Sequence, residues 1–103
     1  MDYQVIWSPE ALDDVDEIAA YIHKDSPIYA HSVVEQIIKK SNNLNKLPLR
    51  GRVVPELQDE NYREVFIYSY RMVYHINEDV SEVKIVAVIH GARLLPEDLP
   101  VDD

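Results

Sequence analysis

The residues of this chain best placed to do chemistry are cations set inside apolar, strand-like runs. Arg71-Met72-Val73-Tyr74-His75 is one such run, and Val88-Ile89-His90-Gly91-Ala92-Arg93 is another. A basic tether, Pro48-Leu49-Arg50-Gly51-Arg52, precedes both. A charge buried inside a strand costs several kcal/mol unless it is paired. These side chains are therefore expected on the open face of a small sheet, a surface suited to an anionic partner. Alternatively, Arg71 and Arg63 pair with Glu64 or Glu56 as structural ion pairs. His75 and His90 could face each other across neighbouring strands, but no third ligand at sensible spacing completes a metal site. The chain lacks cysteine and has only two glycines, Gly51 and Gly91, which excludes thiolate sites and a Gly-rich phosphate loop. No Ser–His–Asp set stands out. Neither a cofactor nor a metal is expected.

The elements that must position these residues follow from pattern and punctuation. Tyr3–Trp7 alternates and is rich in strand formers. Ser8-Pro9-Glu10 then starts a helix, with Ser as cap and Pro at the first helical position. Leu12, Val15, Ile18, Ala19 and Ile22 mark its apolar side, leaving Glu10, Asp13, Asp14, Asp16 and Glu17 outward as a solvated face. Ser26-Pro27 repeats the start signal. Ala30, Val33, Val34, Ile37, Ile38, Leu44 and Leu47 line the second helix, which must end by Pro48. The very short link makes the two helices an antiparallel hairpin. Strands are predicted at 62–67, 70–76 and 83–90, with a short edge strand near 52–55. The order is β, α, α, then a β meander: an α+β fold with the hairpin on one face of a mainly antiparallel sheet.

Alternation along strands predicts the faces. Arg71, Val73 and His75 share one face, as do Lys84, Val86, Val88 and His90, so Arg71, His75, Lys84 and His90 are expected together on the open side. Glu64 shares a face with Tyr62 and Phe66. This would turn it toward the core, so it is expected at an edge or paired to Arg. A solvent-facing cluster contributes little to stability, and replacing Arg71 or His90 by Ala is expected to cost less than about 1 kcal/mol.

With 103 residues, 47% of them apolar, the chain makes one core. The domain is expected over residues 1–93, followed by an acidic tail over 94–103. The start, Met1-Asp2-Tyr3-Gln4, has neither a basic region nor an apolar stretch, so no signal peptide is expected, and no apolar run is long enough for a membrane helix. A cytoplasmic protein without membrane contact is the expectation. The net charge is −9 but unevenly spread. Residues 1–35 hold eight acids against Lys24, whereas residues 36–77 hold seven Lys and Arg against four acids. Net charge is thus a poor guide to what the basic side binds.

The order of these pieces resembles the RelE/ParE superfamily of bacterial type II toxins. The resemblance rests on Trp7-Ser8-Pro9-Glu10-Ala11, the hairpin, Pro48-x-x-Gly51-Arg52, Tyr62-Arg63-Glu64, Tyr70-Arg71-Met72-Val73-Tyr74 and Ile89-His90-Gly91-Ala92-Arg93. It implies a first strand lying beside the last, and a cognate antitoxin, ParD-like or other, that wraps the toxin in a hetero-oligomeric complex. ParE-type members, similar in the His-Gly-x-Arg ending, are inhibitors of DNA gyrase. RelE-type members cut mRNA on the ribosome, which needs a base, a phosphate-binding cation and an acid. Glu56, Arg71 and His90 would fill those roles. The lysine-rich cluster of some such nucleases is missing, no Tyr or His follows Arg93, and −9 suits ribosomal RNA poorly. The ParE-type reading is therefore preferred, with a non-toxic binding module of the same fold as a further alternative. On this reading Arg63, Arg71, His75, Lys84, His90 and Arg93 form the target-binding face. Lys39, Lys40, Arg50 and Arg52 meet the acids of the antitoxin.

Overall fold

The computed structural model describes residues 2–95. The chain forms β1 (Gln4–Trp7), α1 (Pro9–His23), α2 (Pro27–Asn43), a 3-10 turn (Pro48–Arg50), β2 (Arg52–Val53), β3 (Tyr62–Ile67), β4 (Tyr70–Asn77) and β5 (Glu82–His90). Both helices begin as their sequences dictate. Ser8 Oγ accepts a hydrogen bond from Ala11 N at 3.0 Å, and Ser26 Oγ accepts one from Tyr29 N at 3.1 Å. Each satisfies one otherwise orphaned amide of a first turn. The second helix stops at Asn43, earlier than Pro48 demands, and Leu44 caps it with its side chain buried.

The five strands make one sheet in the order β1-β5-β4-β3-β2. β1 runs parallel to β5, and the other pairs are antiparallel. The hairpin lies on one face, where Ala30, Val33, Ile37 and Leu44 meet Met72, Tyr74, Ile76, Val83 and Ile85. Burial of these side chains is the main source of stability, at roughly 1.5–3 kcal/mol for each large one. Expected and observed architectures agree in element order, class and sheet direction.

Two features overturn the expected faces. The first is a register shift: Val73 pairs with Ala87 but Tyr74 pairs with Ile85, which leaves Val86 as an extra residue. A bulge of one residue reverses the alternation beyond it. Val88 therefore joins Met72 under the helices, and Ala87 and Ile89 join Val73 on the other side. His90 follows Val88 and pairs with Tyr70, so it lies on the face opposite Arg71. The second is that the face away from the helices is not open. Val54, Val73, Val86, Ala87 and Ile89 form a second apolar cluster there, covered by Leu57, Tyr62 and Leu95. The turn over residues 54–58 is the roof, with Leu57 N and Gln58 N both bonded to Val54 O.

Candidate functional site

Under that roof sits an alternating chain of charges. Arg71, only 4% exposed, donates from one terminal nitrogen to Glu56 Oε1 at 2.9 Å and to Glu64 Oε1 at 2.8 Å. Its other terminal nitrogen binds Glu56 Oε2 and donates to the carbonyl of Arg93 at 2.6 Å. Glu64, 2% exposed, is also held by Arg52 Nε at 2.5 Å. The sequence Glu56–Arg71–Glu64–Arg52 sums to zero charge, which is how a guanidinium can be buried at all. The paired guanidinium holds the Glu56 carboxyl down at about 2, the hydrogen bond being the largest influence, and the carboxylates in turn raise Arg71 above its ordinary value. Arg71 Nε is buried without a hydrogen-bond partner.

Strand register explains the meeting. Glu64 pairs with Val73, and Phe66 with Arg71, so Glu64 and Arg71 project from the same face of β3 and β4. Glu64 thus points away from the helices rather than toward their core. The ion-pair reading of Arg71 holds, and the expectation of a solvent-facing Arg71 does not. Arg63 lies on the helix side, where it donates to Glu60 O at 2.8 Å and to Gly51 O at 3.2 Å. His75 and Lys84 are paired neighbours on the roofed face, with His75 packed against Tyr62 at 4.7 Å between rings. His90 and Arg93 are exposed at the lip that follows β5, and Leu94 beside them is 80% exposed. Of the six cations expected on one face, Arg71, His75 and Lys84 share it, while Arg63 and His90 stand on the other.

Of the three residues expected to share an acid/base site, Glu56 and Arg71 meet and His90 does not join them. Glu56 and Arg71 bind each other bidentately, and a carboxylate held near 2 is a weak base at neutral pH. His90 lies across the sheet from both, facing Tyr70 with rings 5.8 Å apart. Its Nδ1 accepts from Ala92 N at 3.3 Å. Among the described residues no group of three or more His, Asp or Glu could hold a metal ion, and no helix is long and apolar enough to cross a membrane.

The four cations expected to meet acids are only partly available. Lys40 Nζ donates to Phe66 O at 3.0 Å, capping an edge carbonyl of β3, and Arg52 stacks 5.0 Å over Phe66 while holding Glu64. Lys39 and Arg50 are exposed. Lys40, Arg50 and Arg52 nonetheless line a single shallow depression of about 290 Å³ with Val65 and Phe66.

Other positions carry structure that the sequence pattern does not announce. Buried Tyr74 donates to Pro48 O at 2.7 Å and accepts from Gly51 N at 2.9 Å, pinning the basic tether to the sheet. A Cβ on Gly51 would stand 2.6 Å from both Tyr74 Oη and Glu64 O. Asp14, read as part of a solvated face, turns inward, and its Oδ2 accepts from Val88 N at 3.0 Å. β1 ends at Trp7, opposite Ile85, so the β5 edge beyond needs another acceptor. That role draws Asp14 into a partly dry site, and desolvation raises its carboxyl above the usual value. The one sequence signal for Asp14 is its helical spacing four residues before Ile18, on the edge of the apolar stripe.

Comparison with known proteins adds to this geometry. The family described as the ParE toxin of type II toxin–antitoxin systems, parDE, matches residues 5–95. Toxin RelE2 of Caulobacter vibrioides is 33% identical over 92 residues, covering 88% of this chain and 98% of that protein. Among solved structures, the chromosomal ParDE system from P. aeruginosa has the same fold, with a TM-score of 0.68 at 18% identity over 85% of this chain and 95% of that one. The toxin–antitoxin complex RelBE2 from Mycobacterium tuberculosis aligns with a TM-score of 0.57 at 25% identity, covering 87% and 99% of the two chains. This chain belongs to the ParE toxin family of type II toxin–antitoxin systems, within the RelE/ParE superfamily.

Proposed function

We propose that this toxin is of the gyrase-inhibiting, ParE type: it acts by binding DNA gyrase, performs no chemistry of its own, and is neutralised by a cognate antitoxin. The observation that carries this reading is the closed Glu56–Arg71–Glu64 network. A phosphate clamp needs a guanidinium with donors to spare, and a general base needs a carboxylate that takes up a proton near neutrality. Here each group has consumed the other, and the candidate acid stands on the far side of the sheet.

The main surface assigned to the target is the lip over residues 90–94. His90 and Arg93 present charge there, and Leu94 presents an apolar side chain. Arg71 serves the lip indirectly by holding the Arg93 carbonyl. His75 and Lys84 mark a second, smaller contact at the other end of the sheet. The antitoxin is assigned to the basic side, where Lys39, Lys40, Arg50 and Arg52 attract its carboxylates, and solved relatives of this fold include toxin–antitoxin complexes.

Expression of the chain without antitoxin should arrest DNA replication while cellular mRNA stays full length, and His90→Ala/Arg93→Ala should relieve that arrest. Site-specific mRNA cuts that disappear in a Glu56→Ala variant would overturn the proposal and favour ribosome-dependent endoribonuclease action.

A further inference from the structure

Between the connection from α2 to β2, the start of β1 and the end of β4 lies an apolar cleft of about 570 Å³. Leu47, Pro48 and Leu49 line it together with Tyr3 and buried Ile76. Leu47 is 57% exposed and Leu49 61%, so two leucine side chains stand open to a partner at this cleft. We propose that this cleft is the anchor site for an apolar side chain, leucine or aromatic, carried by an acidic segment of the antitoxin. The inference rests on the antitoxin reading above and names where, and through what chemistry, that partner is gripped.

Two observations point to such an occupant. The first is rigidity. The Leu47–Arg50 turn is closed by Arg50 N donating to Leu47 O at 3.0 Å, and Tyr74 Oη ties Pro48 O to Gly51 N from beneath. Tyr3 N donates to Asn45 O at 2.7 Å, fixing the opposite side. The fold thus holds two leucines outward in a fixed geometry, and a preformed site binds without losing its own conformational freedom. The second is charge. Residues 39–52 carry Lys39, Lys40, Lys46, Arg50 and Arg52 and no acid. Lys46 and Arg50 line the cleft itself, against Glu78 alone among its acids. An apolar slot flanked by cations fits an apolar anchor flanked by carboxylates. A second copy of this chain is a poorer match, because Leu47 and Leu49 would meet the same cations across a two-fold contact.

The test uses the full chain and the product of the reading frame adjacent to its gene, with association and dissociation followed by stopped flow at several salt concentrations. Replacing both leucines, Leu47→Ser/Leu49→Ser, should raise the dissociation rate at least about thirty-fold, as loss of a central apolar anchor does, with little change in the association rate. The melting temperature should hold, since both side chains are exposed already. Lys46→Ala/Arg50→Ala should instead slow association and flatten its salt dependence. Wild-type dissociation from the double-serine variant would overturn the anchor while leaving the antitoxin reading intact. Self-association of the chain alone through these leucines would overturn it too. Failure of the wild-type chain to bind the neighbouring product would overturn the antitoxin reading and the cleft with it.

Discussion

Arg71→Ala should be severely destabilising, and its cost can be worked from the contacts it removes. The substitution leaves Glu64 with a single partner, Arg52, in a site where Glu64 is 2% exposed. It also frees Glu56 and unties the Arg93 carbonyl. Breaking a buried ion pair from one side costs about 3–5 kcal/mol, chiefly by stranding the remaining charge. Two features place the cost near the lower end. Arg52 continues to hold Glu64, and the Glu56 side chain, 24% exposed, can turn to water. A loss of about 3 kcal/mol in a domain of this size corresponds to a fall in melting temperature of roughly 12–24 °C. Calorimetry and urea denaturation measure it directly. A double change, Arg71→Met/Glu64→Leu, should recover most of the loss, because apolar replacement of a buried ion pair is often neutral and the outer partners, Arg52 and Glu56, reach water. An Arg71→Ala protein within about 1 kcal/mol of wild type would mean that Arg71 is not a buried structural partner.

Glu56 gives a pH dependence: its carboxyl sits lower in the folded chain, at about 2, than the ordinary 4.5 of the unfolded one. The stability it adds is therefore fully present above the unfolded value and is lost as pH falls from about 5 toward 2. For a group this accessible to water the loss should be roughly 1–2 kcal/mol, read from urea midpoints across that window and abolished in Glu56→Gln. Gly51→Ala should destabilise by roughly 1–3 kcal/mol, because its new Cβ meets backbone at Glu64 as well as the Tyr74 hydroxyl; an unchanged melting temperature would mean the tether shifts freely. Asp14→Ala should cost about 1–2 kcal/mol by orphaning Val88 N, whereas Asp14→Asn, which keeps an acceptor, should stay near wild type; equal effects in the two would contradict the capping role.

The elements were legible because their signals are local. Ser8-Pro9 and Ser26-Pro27 start helices by satisfying amides three residues ahead, and Pro48 sets an outer limit to the second helix, which stops at Asn43. The faces were less legible. Counting by twos through Val83–His90 assumes that no residue is inserted. Nothing in Val-Lys-Ile-Val-Ala-Val-Ile-His distinguishes Val86 as the bulge, since Val86 and Val88 are alike in type yet lie in different clusters. That single insertion moved His90 across the sheet from Arg71. The roof over the sheet was hidden for another reason: Val54, Leu57 and Leu95 are isolated apolar residues in loop-like sequence, and only tertiary packing shows that they share a cluster. Glu56 and Glu64 were visible as partners for Arg71, but closing all of them into one network requires the β3–β4 register. The acidic tail lies largely outside the described residues.

On the function proposed above, this toxin binds DNA gyrase and leaves RNA uncut. The most direct measurement adds purified chain to DNA gyrase in a supercoiling assay and, in parallel, to translating ribosomes carrying a labelled mRNA. The expected result is dose-dependent loss of supercoiling, reversed by the antitoxin, with the mRNA left intact. Unimpaired supercoiling together with discrete mRNA cuts would contradict it.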